Sequence, residues 1–162
     1  MRLLAVILTL CTSLYAQSPA SEWAQMSQAQ QDSIRATYDY FKPYDLGFTA
    51  AANKWRETDG IYFISIRVDS TGKVVEIAVG GHQIRIDQAL SDSTGWEISR
   101  LAEKHISDLE FHRQEVLKRW QALRKQYDGD WEITWSHWNS GNGPYGRDMR
   151  DKVRFLSRLG WK

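Results

Sequence analysis

Four histidines, His82, His105, His112 and His137, are the side chains best suited to acid–base or metal chemistry near neutral pH. His105 and His112 lie seven residues apart on the apolar stripe of a helical pattern, a separation of about 10 Å along a helix axis at its usual rise. One metal ion cannot take both as ligands over that distance, so the pair is expected to be buried or at a boundary, bonded to neighbours. His137 sits beside Trp135 and Trp138 with no second ligand in its vicinity. The single cysteine, Cys11, offers the folded chain neither a disulfide nor a thiolate site.

Other patterns look like chemistry and fail on context. Gly141-Asn142-Gly143-Pro144-Tyr145-Gly146 matches the dinucleotide fingerprint, but that motif needs a second parallel strand with an acid roughly 20 residues on. Sixteen residues follow it here, so a flexible loop is expected instead. Asp69-Ser70-Thr71-Gly72 and Asp92-Ser93-Thr94-Gly95 repeat four letters. An extra residue between Asp and Gly breaks the aspartic-protease motif, and the two read as a hairpin turn and a helix start. No Gly-x-Ser-x-Gly elbow exists, and sequence alone cannot pair twenty Asp and Glu residues into a catalytic couple. No catalytic, cofactor-binding or metal-ligating residue is assigned on these grounds.

The compositional excess is tryptophan, with eight residues. Indole faces stack on sugar rings or anchor protein interfaces. Trp120, Trp131 and Trp135 are expected to pack a helix against a sheet. Trp55, Trp138 and Trp161, with His137 and Tyr145, form the candidate recognition surface.

The elements that position these side chains follow from periodicity. Trp23, Met26, Ile34, Tyr38 and Phe41 fit one face of a helix over 21–41, closed by Pro43, and a short helix is expected over 48–57. From Ile61 the period changes to two. Tyr62, Ile64, Ile66 and Val68 share one face, a turn follows at 69–72, and Val75, Ile77 and Val79 share a face of the next strand, so residues 61–79 form a hairpin. Asp87 or Ser91 can start helical structure. Apolar residues then recur every three or four positions over 94–127, giving one long helix or two with a bend. Trp131, Ile133 and Trp135 alternate with polar residues and read as a strand over 131–137, and a last helix spans 147–159. The expected fold is α+β: a small antiparallel sheet of the hairpin and the 131–137 strand, packed by the long helix, with helices at both ends.

Residues 1–16 have the layout of a signal peptide, with Arg2 before an apolar run, and cleavage after Ala16 or Ala20. The remainder, 17–162, is expected to be one exported domain without an integral membrane segment. The whole chain carries 21 basic and 20 acidic residues, and removal of Arg2 balances them. That neutrality gives no field favouring nucleic acid. The basic excess near the C-terminus, Arg147 to Lys162, reads as the solvated face of a helix.

The run from Tyr62 to Val79, an apolar strand ending in Val68-Asp69, a turn carrying Gly72-Lys73-Val74, then Asp87-Gln88-Ala89-Leu90, resembles the strand-turn-strand-helix of the TonB C-terminal domain. Gly80-Gly81-His82 stands where that family has Ser-Ser-Gly, and the Arg-Phe-x-Pro that ends its helix is missing. The resemblance covers about thirty residues and implies a small binding module of the bacterial envelope, periplasmic or secreted, that holds an envelope protein partner by a sheet face or edge. A carbohydrate or peptidoglycan binder using exposed tryptophans, and a hydrolase with an unrecognised site, are the alternatives.

Overall fold

The computed structural model describes residues 18–161, and the expected signal segment 1–16 lies outside them. The fold is α+β, with a three-stranded antiparallel sheet among helices. The expected single N-terminal helix is two, α1 (Pro19–Gln25) and α2 (Gln28–Phe41). The reason is a capping box. Ser27 Oγ accepts from the Gln30 amide, and the Gln30 side chain accepts from the Ser27 amide at 2.9 Å, so a new helix starts in mid-pattern. Helix α3 (Gly47–Thr58) packs on α2. Its fully buried Ala50, Ala51 and Ala52 present little bulk, which permits that close approach.

The hairpin forms as expected, with β1 (Ile64–Val68) antiparallel to β2 (Val74–Val79). A third strand, β3 (Ile84–Asp87), pairs with the other side of β2. Its four residues alternate, with Ile84 and Ile86 inward and Arg85 outward. This is the strand signal that the sequence reading missed, because it is short and follows the Gly80-Gly81 turn directly. Register places Ile64, Val79 and Ile84 in one row across the sheet, and Ile66, Ile77 and Ile86 in the next. The opposite face carries Arg67, Glu76 and Arg85, with Arg67–Glu76 at 3.1 Å and Arg85–Glu76 at 2.7 Å. One face is therefore apolar and the other charged.

Asp87 caps α4 (Gln88–Thr94) by accepting from the Leu90 amide. The expected 94–127 rod is broken at Asp108 into α5 (Ile98–Ser107) and α6 (Leu109–Gln126). Asp108 has extended backbone (ψ 91°), its amide closes α5 on Lys104 O, and its carboxylate accepts from the Phe111 amide to open α6. One residue thus ends one helix and caps the next. Helix α5 lies against β2 and β3, α4 touches β3, and α6 packs on α5 and α7.

The expected strand over 131–137 is instead helix α7 (Trp131–Trp138), which buries Thr134, Trp135 and Trp138 and leaves Ile133 exposed. Asp130 caps it by accepting from the Ile133 amide at 3.1 Å. Trp131, Thr134, Trp135 and Trp138 stand at i, i+3, i+4 and i+7, a helical face that outweighs the β-propensity of the same residues. Helix α8 (Gly143–Ser157), capped by Asn142, packs on α7. Their contact passes over Gly146, where a Cβ would collide with Ser136 Oγ. Among the described residues no helix is long and apolar enough to cross a membrane.

Candidate functional site

The apolar rows of the sheet run out from under α5. Along the second row exposure rises from 0% at Ile86 to 9% at Ile77 and 62% at Ile66. All of β1 is exposed, and so are Ile61, Tyr62 and Phe63 before it. The sequence reading expected β1 to bury one face under the long helix. It does not, because α5 packs over β2 and β3 and leaves β1 at the open side of the sheet.

The main chain of β1 is open as well. Gly80 N–H donates to Phe63 O at 2.9 Å. In this register the odd-numbered residues therefore direct their polar groups to β2 and the even-numbered ones, Ile64 and Ile66, to the free edge. Charged side chains usually blunt such an edge. Arg67 is the one charge in β1, and it is tied to Glu76.

At the start of this edge lies a cleft of about 310 Å³ whose wall includes Tyr62, Lys54, His82, Leu109, His112 and Arg113. Lys54 Nζ donates to Ser33 Oγ at 2.7 Å, and the lysine stem runs over Gly81, where a Cβ would stand 2.7 Å from Lys54 Cε. Burial, and secondarily the nearby Arg113 charge, push the Lys54 amine down to about 8.

Behind the cleft the polar side chains form a buried chain. Tyr145 donates to Glu57 Oε1 at 2.6 Å, so its hydroxyl accepts from Asn53 Nδ2 at 2.8 Å, and Asn53 Oδ1 accepts from His82 Nδ1 at 2.7 Å. Each bond fixes the next, which places the His82 proton on Nδ1 and leaves Nε2 as an acceptor. Burial raises the pKa of Glu57 at the far end and that of Tyr145.

His105 and His112, separated along the sequence, meet at 3.1 Å between their Nδ1 atoms. The Asp108 break folds α6 back on α5 and overturns the expected axial separation. His112 Nε2 is buried without a partner, against Gly80, where a Cβ would stand 2.5 Å away. A bare acceptor costs less there than a bare N–H, so His112 carries its proton on Nδ1 and donates it to His105. Burial holds all three histidines below their ordinary pKa, His112 at about 4. They are neutral at neutral pH.

A lysine of lowered pKa touching a serine hydroxyl is also the pairing that activates some serine nucleophiles. Ser33, however, lies within α2, where the neighbouring amides are committed to the helix. An oxyanion formed on its substrate would find no free pair of N–H donors from that helix.

The sequence-predicted recognition residues are dispersed, and most are buried. Trp55 is fully buried against Trp23 and Phe155. Trp138 stacks on Trp120 at 4.3 Å inside the core, and Tyr145 is the middle of the buried chain. Trp161 is half-buried between Tyr38 and Trp23, and His137 is half-buried with Nδ1 2.9 Å from Ile133 O. The expected exposure of Trp55, Trp138 and Tyr145 is overturned because the core lies mainly among the helices, and the sheet adds Ile77, Val79, Ile84 and Ile86 to it. A second cleft, of about 700 Å³ and lined by Glu22, Arg56, Asp59, Asp148 and Lys152, has both of its cations already paired, Lys152 to Glu22 at 2.5 Å and Arg56 to Asp148 at 2.6 Å.

No protein-family model, curated protein or solved structure matches the chain.

Proposed function

We propose that the chain is a non-catalytic, exported binding module of the bacterial envelope, and that its protein partner lays an extended segment along β1. The observation that carries this reading is the pair of apolar rows that α5 leaves uncovered at Ile64 and Ile66, beside unpaired main-chain groups. Addition of a strand would pair those groups and continue the rows, main-chain bonds giving affinity and alternate side chains giving selectivity. The resemblance of 62–90 to the TonB C-terminal domain supports the same use of the sheet. Glycan binding needs open indole faces, and none of the eight tryptophans is fully exposed.

The test is photocrosslinking in intact envelopes, with a photoreactive amino acid in place of Val68. A discrete protein adduct is expected, and Ile64→Lys with Ile66→Lys should abolish it. Both side chains already face water, so the double variant should change folding stability by less than about 1 kcal/mol. An adduct that survives the two lysines, or none at all with folded protein present, refutes edge binding.

A further inference from the structure

The cleft beside the edge holds two cations and no anion. Lys54 and Arg113 both line it, and neither forms an ion pair among the described residues. Arg113 makes no hydrogen bond there and lies 4.5 Å over the Tyr40 ring. The groups facing Lys54 are Ser33 from α2, Arg113 and His112 from α6, and His82 from the turn after β2. With both histidines neutral, no carboxylate in the wall balances the two positive charges, whereas both cations of the 700 Å³ cleft are paired; Glu110, which feels the Arg113 charge, does not line the cleft. Phe41, Tyr62 and Leu109 give the same space apolar walls.

We infer that this cleft binds a carboxylate carried on an apolar body, the carboxyl terminus of the partner segment that lies along β1. The guanidinium of Arg113 can take both oxygens in its fork, and the Lys54 ammonium adds a point charge and its donors. Direction follows from the topology. Tyr62 lines the cleft and precedes β1, so a segment ending there runs antiparallel to β1, with its earlier residues beside Ile64 and Ile66. The inference rests on the edge-binding reading for the identity of the occupant, while the carboxylate site can be tested by itself. A lone cation in a desolvated wall is costly, and a bound anion removes that cost. Lys54 deprotonates near pH 8 in the empty cleft, so carboxylate binding should weaken above that pH and should raise the Lys54 pKa toward its ordinary value.

The experiment is an NMR titration of the folded chain, with the Lys54 side chain and backbone amides as reporters. Three probes are used: a short N-acetylated peptide of alternating valine and threonine with a free carboxyl terminus, its C-terminal amide, and hexanoate. The free acid is expected to shift both Lys54 and the β1 amides. The amide should bind at least about tenfold more weakly, and so should the free acid to Lys54→Met or Arg113→Gln. Arg113→Gln removes the fork from a half-buried surface position and guards against misfolding of the other variant. If hexanoate and the acid shift Lys54 while β1 stays silent, the carboxylate site stands and its assignment to an edge-bound peptide fails. If acid and amide move β1 equally and neither moves Lys54, edge binding stands and the carboxylate site is overturned. Lys54 unmoved by all three probes overturns it also.

Discussion

Trp55→Ala should cost about 3–5 kcal/mol, as large-to-small changes of fully buried aromatics do, and lower Tm by on the order of 10 °C for a domain of this size. Its indole has no exposed surface and packs 5.2 Å from Trp23 and 5.7 Å from Phe155, with the Lys152 ammonium 4.6 Å from the ring. Removal leaves a cavity where α1, α3 and α8 converge, and it strips a buried cation of the face that helps to hold it. Trp55→Phe should be much milder. The indole N–H is buried without a partner, and phenylalanine keeps most of the packing while removing that desolvated donor. Urea unfolding of the two variants checks both statements. If the alanine variant kept the parent's midpoint, Trp55 would have to be a surface residue, as its sequence context first implied.

The parts of the fold that were legible are those where one local signal acts alone. The hairpin combines alternation, a turn and β-branched residues over 61–79, and its two strands pair antiparallel as expected. Where two signals compete, the sequence pattern alone does not decide between them. Trp131, Ile133 and Trp135 alternate, yet Trp131, Thr134, Trp135 and Trp138 also share a helical face, and the Asp130 cap decided between them. Asp108 and Ser27 were hidden within long helical periods, although each is a residue type that caps helices. The candidate site was hardly legible. His105 and His112 meet only because the chain turns at Asp108, and the chain from Glu57 to His82 joins α3, α8 and the turn after β2. Such contacts carry no signature of spacing. The exposure of Ile64 and Ile66 was invisible for a related reason: alternation shows which residues share a face and does not show whether a helix is long enough to cover it.

Acidification should destabilise the fold well before its carboxylates protonate. His112 has a folded pKa of about 4 against an ordinary 6.5, so between those values the unfolded chain binds the proton and the folded chain does not. Stability is then fully present above pH 6.5 and is lost as pH falls toward 4, by on the order of 3 kcal/mol from this group. His82 and His105 are shifted in the same direction, mainly by burial, and add to the loss. Glu57 works the other way, since burial raises its pKa and the folded form takes up its proton more readily on acidification. Asp69, Asp87, Asp108 and Glu110 are all held below their ordinary values, so their contribution disappears only at lower pH. Urea midpoints between pH 7 and 4.5 therefore separate the two causes. Replacing His105 and His112 together by leucine removes those two titrating rings and the bond between them, and should reduce the slope in that range to the part left by His82 while keeping the steeper loss below it. A parent stability that is level from pH 7 to 4.5 would show that these rings are charged or solvated, and the neutral wall that leaves Lys54 and Arg113 unbalanced would go with it.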